Sequence, residues 1–203
     1  MKLLLTSSGL GDQKISQEFL NLVGKPASDI LILLISGAME KERLYLERPI
    51  KELCDLGIKE ENISIYKQNN TSLTDAEMMD FDAIYLGGGN TFYLLKKLKE
   101  KKFSQKLKAY MKKGGVYVGV SAGSIVAGPD IESAGWGTDA DENSVNLKET
   151  TGLNLTDIVV FPHFTDKLKT EVNGFRKKVK YQILGLPDGQ ALLINGNESR
   201  LIK

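Results

Sequence analysis

The stretch Val116-Tyr117-Val118-Gly119-Val120-Ser121-Ala122-Gly123-Ser124-Ile125-Val126-Ala127 decides how this chain is read. Residues 116–120 are apolar or small at every position, the composition of a strand covered on both faces. Residues 122–127 read as a short helix closed by Gly128-Pro129. Between the two, Gly119-Val120-Ser121-Ala122-Gly123 matches G-x-S-x-G. A sharp strand-to-helix turn throws a serine up at the carboxyl end of a sheet, and small flanking residues keep the turn from clashing. The serine also opens a helix, where backbone N–H groups point outward. The N–H of Ala122 is then placed to hold a developing oxyanion. The bland alternative is a tight turn with an inert serine.

Outward from this stretch the chain alternates. Residues 3–6, 29–35, 62–66, 83–86, 158–161 and 191–194 read as further short, apolar strands. Helical stretches fall at 14–23, 38–56, 91–98, 103–112 and 167–183, with Leu95, Leu98, Leu107 and Met111 recurring at helical spacing. Such alternation predicts an α/β fold: a doubly wound, mostly parallel sheet with helices on both faces. Residues 130–150 are polar and acidic, and read as a loop or hairpin beside the site. No internal repeat or domain boundary is visible, so residues 1–203 are expected to form one domain.

Two more motifs stand at strand ends. Leu86-Gly87-Gly88-Gly89-Asn90-Thr91 closes a strand and opens a helix, with Asn90 or Thr91 as N-cap. Its glycines permit close backbone approach, so Gly88 or Gly89 can supply the second oxyanion N–H. A phosphate cradle is the rival reading. It lacks Gly-Lys-Ser/Thr, and near Gly9-Leu10-Gly11 a lysine, Lys14, stands where a dinucleotide fingerprint needs its third glycine. The only histidine, His163 in Phe161-Pro162-His163-Phe164, also follows a strand. If Ser121 is activated by imidazole, His163 is the base. An acid should orient it. Asp188, in the Pro187-Asp188-Gly189 turn, competes with Asp139, Asp157 and Asp166. Asn90 and Trp136 are candidates for substrate binding. One His and one Cys give no metal-ligand spacing, so neither metal nor cofactor is expected.

Composition excludes several classes. Against 27 Lys+Arg stand 26 Asp+Glu, a net charge of +1, whereas nucleic-acid binders are usually strongly basic. Residues 96–113 hold nine lysines, but these fall on the polar faces of two amphipathic helices and read as solvated surface. The lone Cys54 fits a reducing, cytoplasmic compartment, and a small buried hydrophobe is its expected role. Three consecutive leucines at 3–5 are too few for a signal-peptide core. The apolar run 30–35 is far below the ~20 residues that span a bilayer.

Together, Gly87-Gly88-Gly89-Asn90-Thr91, Val120-Ser121-Ala122-Gly123, Pro162-His163-Phe164 and Leu186-Pro187-Asp188-Gly189 resemble the peptidase E family, serine peptidases of the S51 type, along the whole chain. The resemblance implies a class I glutamine-amidotransferase-like, flavodoxin-like fold. It also implies a Ser121 nucleophile, a His163 base and oxyanion donors from the glycine loop and Ala122. Relatives such as cyanophycinase take the acid from a turn after the histidine, which Asp188 matches. Where peptidase E itself has Asn-Asp-Met-Pro, this chain reads Ser133-Ala134-Gly135-Trp136, a departure bearing on the acid and on cleavage after N-terminal aspartate. The expectation is a peptidase acting on short peptides, with no nucleic acid or membrane partner and a homodimer left open. An esterase or amidase on a non-peptide substrate, or a ligand-binding domain without catalysis, are the alternatives.

Overall fold

The computed structural model describes residues 1–37, 42–66, 74–137 and 140–203. Strands β1 (Lys2–Thr6), β2 (Ile32–Gly37), β3 (Ile63–Tyr66), β4 (Ala83–Gly89), β5 (Val116–Val120), β8 (Ala191–Asn195) and β9 (Glu198–Ile202) form one sheet in the order β3-β2-β4-β5-β1-β8-β9. The first five pair in parallel, and β8 and β9 extend the sheet antiparallel from β1. Strands β6 (Ile158–Pro162) and β7 (Gln182–Leu186) pair in parallel with each other as a separate small sheet.

Strand alternation builds two cores. Leu3, Leu5, Ile84 and Leu86 face α4 (Thr91–Glu100), α5 (Phe103–Lys112) and α6 (Ala122–Val126). Leu4, Leu34, Tyr85 and Val118 face α1 (Gln13–Val23) and α2 (Glu42–Asp55). Both faces of β1, β2, β4 and β5 are therefore buried, which is why they read as nearly unbroken apolar runs, whereas the edge strand β3 leaves Ser64 and Ile65 exposed. A third, smaller core of Val159, Phe161, Val172 and Ile183 lies under α7 (Lys169–Arg176).

The doubly wound, mostly parallel sheet is as expected, with four differences. The predicted helix over 167–183 is shorter: α7 ends at Arg176 and the chain re-extends into β7. Gln182 and Ile183 belong to that strand because their backbone pairs with Ile158 and Val159, a long-range partner that helical spacing does not reveal. The strand expected from residue 29 begins at Ile32, after a 3-10 turn at Ala27–Asp29. The edge strand β9 is exposed at four of its five residues and carries no apolar alternation to signal it. The one-turn helix α3 (Asp75–Met78) is held by a capping box at Thr74 and Glu77 rather than by an amphipathic face. The first residues of the helix expected over 38–56, those at 38–41, lie outside the described residues. Cys54 is half-buried rather than buried.

Among the described residues, no helix is long and apolar enough to cross a membrane. None of their His, Cys, Asp or Glu side chains cluster in threes that could hold a metal ion.

Candidate active site

Ser121 sits between β5 and α6 at φ 49°, ψ −111°, a conformation that non-glycine residues adopt only where the surroundings enforce it. The enforcement is visible. A Cβ on Gly119 would lie 2.6 Å from the Gly123 carbonyl oxygen, and one on Gly123 would lie 2.1 Å from that of Leu86. Only glycine at both positions lets α6 fold back over β5 and pack on β4. The turn is then pinned by side chains. The Ser124 hydroxyl donates to Thr6 O at 2.7 Å and lies 2.8 Å from Gly119 O, and Tyr117 OH donates to Gly123 O at 2.7 Å. Ala122 is the first residue of α6, so its N–H has no partner within the helix. Gly88 packs against the serine, a Cβ there standing 3.6 Å from Ser121 Cβ.

His163 follows β6, and Asp188 follows β7 by two residues. Because the strands are parallel, with Pro162 opposite Leu186, the two side chains emerge at the same end. His163 Nδ1 lies 2.8 Å from Asp188 Oδ1, and His163 Nε2 lies 3.0 Å from Ser121 Oγ. An ionised carboxylate only accepts, so Nδ1 carries the proton and Nε2 is left to accept from the serine hydroxyl. Both His163 and Asp188 are open to solvent, with side chains 51% and 64% exposed. Burial pushes the Asp188 carboxyl up. Hydrogen bonds from Ser7 and His163, and the nearby charges of His163 and Arg48, outweigh it and hold the group below its ordinary value.

Sequence reasoning missed Ser7. It stands just after β1, fully buried, and its hydroxyl donates to Asp188 Oδ1 at 2.7 Å while accepting from the His163 backbone N–H at 2.8 Å. One side chain thus ties the large sheet to both strands of the small one at their shared end. It also braces His163, whose φ of 53° is itself unfavourable for a side-chain-bearing residue. The available signal was a run of hydroxyls, Thr6-Ser7-Ser8, closing the first strand beside a glycine.

The other acids are placed elsewhere or outside view. Asp157 precedes β6, at the far end of that strand from His163, and Asp166 opens a 3-10 turn. Asp139 lies outside the described residues. Trp136 does line the cleft, stacked on Phe175 with ring centroids 3.6 Å apart. Asn90 does not. Its Oδ1 caps α4 by accepting from Tyr93 N–H at 2.9 Å, and its Nδ2 donates to Glu142 O at 2.8 Å, so both polar ends are taken.

The cleft has two wings meeting at Ser121 and His163. One is lined by Thr91, Ser133, Trp136, Asp141 and Phe161. The other is lined by Tyr45, Arg48, Glu52, Tyr85 and Asp188, with Arg48 paired to Glu52 at 2.8 Å. A hydroxyl, an imidazole and a carboxylate in series, with the first N–H of a helix beside the hydroxyl, can carry out nucleophilic acyl transfer.

Known proteins share this arrangement of chain. The family model of peptidase family S51 matches residues 3–202. An uncharacterised peptidase of Listeria monocytogenes is 31% identical, the match covering 97% of this chain and 95% of that protein. Peptidase E of a Nostoc species is 28% identical over 98% of this chain and 84% of its own length. The crystal structure of a candidate peptidase E protein from Listeria monocytogenes superposes with a TM-score of 0.81 at 26% identity, covering 100% of this chain and 98% of that one.

Proposed function

This chain belongs to peptidase family S51 and is a serine peptidase, and we propose that it hydrolyses short peptides through Ser121, His163 and Asp188. The observation that carries this reading is the unbroken series Ser121 Oγ–His163 Nε2 and His163 Nδ1–Asp188 Oδ1, at 3.0 and 2.8 Å. Ser121 Oγ attacks the scissile carbonyl while Nε2 takes its proton. Asp188 stabilises the resulting imidazolium and keeps the ring in its reactive tautomer. The carbonyl oxygen, now anionic, is held by the N–H of Ala122 and that of Gly88 or Gly89. His163 returns the proton to the leaving amine as the C–N bond breaks, leaving an acyl group on Ser121. A water molecule, deprotonated by the same Nε2, then releases the acid and restores the serine.

The two-winged cleft, lined by Trp136 and Phe161 on one side and by Tyr45 and Tyr85 on the other, favours short peptides over a folded protein chain. The free thiol of Cys54 supports a reducing, cytoplasmic setting. The test incubates the wild type and Ser121→Ala with dipeptides and tripeptides of varied first residue and follows new free amine. Wild-type release should exceed that of the variant by several orders of magnitude. Equal release by both would refute the assignment of the nucleophile. Turnover of p-nitrophenyl esters without any of peptides would replace the peptidase reading by an esterase one.

A further inference from the structure

The wing that holds Trp136 contains two buried, unsatisfied hydroxyls and a half-buried carboxylate. The Thr91 and Ser133 side chains are 0% and 2% exposed and line this chamber. Neither hydroxyl has a hydrogen-bond partner among the described residues. Buried hydroxyls left alone are costly and rare in folded proteins, so a pair of them on residues that line one chamber points to a polar group that arrives with a ligand. The carboxylate is that of Asp141. Its Oδ2 accepts from Thr91 N–H at 2.8 Å, and its backbone N–H donates to Ala134 O at 2.7 Å. These two bonds bind Asp141 to both orphan hydroxyls' neighbourhoods, since Thr91 is one of the two and Ala134 follows the other. Oδ1 of Asp141 accepts no hydrogen bond among the described residues, and no cation pairs with it there.

We propose that this chamber receives the first residue of the substrate, with its free ammonium held by Asp141, Thr91 and Ser133, and that it takes an uncharged side chain there. An ammonium has three N–H donors and no acceptor, matching one carboxylate oxygen and two hydroxyl oxygens. The ammonium of an N-terminal residue is one carbon from the carbonyl under attack, so its anchor must share a chamber with Ser121, and Asp141 does. The remaining wall is apolar: Ile125, Ala134, Trp136, Phe161 and Leu168. No Lys or Arg lines it among the described residues. A first-residue aspartate or glutamate would bring a second carboxylate beside Asp141 with no cation to compensate, a like-charge contact that disfavours binding. Asp130 and Glu132, the neighbouring acids, do not line the chamber. Asp130 instead accepts from Glu132 N–H at 2.6 Å and Thr150 Oγ1 at 2.9 Å.

The proposal rests on the peptidase reading, and its test separates the two. Calorimetric titration of the Ser121→Ala protein measures binding of intact Ala-Ala, N-acetyl-Ala-Ala and Asp-Ala whether or not turnover occurs. Ala-Ala should bind about 10- to 100-fold more tightly than its acetylated form, the range for a charge-assisted hydrogen bond, and more tightly than Asp-Ala. Adding Asp141→Asn, which keeps an acceptor for Thr91 N–H but removes the charge, should shrink the preference for the free amine toward unity. Equal binding of the free and acetylated peptides, tighter binding of Asp-Ala, or an Asp141→Asn protein that keeps the full preference would each overturn it. In the last case Asp141 is only a helix cap. Ser121-dependent turnover of wild type is a separate readout: its loss strikes the peptidase reading, and the binding ratios still decide the chamber.

Discussion

Ser121 stands at the end of β5 with a hydrogen-bonded strand on either side, whereas His163 and Asp188 stand at the ends of two strands that pair only with each other. The proposed nucleophile is framed by backbone. Gly119, Gly123, Ser124 and Tyr117 leave its turn no alternative. His163 and Asp188 are framed by side chains: Ser7 under both, Phe164 against Gly185, and Arg176, which donates to Ile183 O at 2.9 and 3.1 Å. A turn locked into a close-packed sheet cannot move without disturbing the core. A two-stranded sheet is marginal on its own and depends on what it is tied to. Damage to the first region should therefore appear as lost stability, and damage to the second as lost activity in a folded protein.

The largest effect expected is on the small sheet. Asp188→Asn should lower kcat about 10³- to 10⁴-fold by disfavouring the reactive tautomer, while thermal melts move by less than about 1 kcal/mol because the carboxylate is exposed. Retained turnover would mean that the orienting acid is another residue.

A pair of glycine substitutions sharpens the contrast. The Cβ of Gly123→Ala meets a backbone oxygen at 2.1 Å and should cost about 3 kcal/mol in urea unfolding. That of Gly185→Ala meets the Phe164 ring at 2.6 Å. The ring can swing aside, so the stability loss should stay near 1 kcal/mol. Turnover should fall more than stability, because Phe164 adjoins His163. If the two variants lose stability equally, the difference between the regions is not what we describe.

Ser7→Ala cuts the tie between the sheets. We expect kcat to drop about tenfold with little change in KM, as a lost hydrogen bond to a charged group would give. The Ser7 hydrogen bond also helps lower the Asp188 pKa, so NMR titration of that carboxyl should show it rising in the variant. No rise would make Ser7 a mere packing residue.

The smallest effect concerns stability and pH. Asp188 titrates lower in the folded protein than its ordinary value. Its favourable contribution is then fully present above the ordinary aspartate range, near pH 4, and disappears as pH falls through the lowered folded value. Urea midpoints of wild type minus Asp188→Asn should therefore be flat above about pH 5 and fall below it, by under about 1 kcal/mol for so exposed a group. A difference that grows as pH falls would reverse the sign.

Much of the site was legible because its signals are local. The elbow needs two glycines within two residues of Ser121, the oxyanion loop needs consecutive glycines, and a lone histidine leaves no rival base. Apolar runs identified β1, β2, β4 and β5 because both faces of those strands are covered. Asn90 was legible as a cap, and the structure shows the capping bond. Trp136 reached the cleft, though nothing in its neighbours specifies the stacking on Phe175 that holds it there.

What tertiary structure alone decided is which distant residues meet. The choice among the three described aspartates, Asp157, Asp166 and Asp188, turned on β7, hidden in the tail of a helical pattern. That strand's partner β6 lies about twenty residues upstream, and only the parallel pairing carries Asp188 to His163, 25 residues away in sequence. Ser7 reaches Asp188 across 181 residues, and Asp141 reaches Thr91 across 50. Hydrophobic period and turn chemistry act over a few residues and so are written in the chain. A hydrogen bond between residues far apart depends on the packing of everything between them, and exists only once the fold has formed.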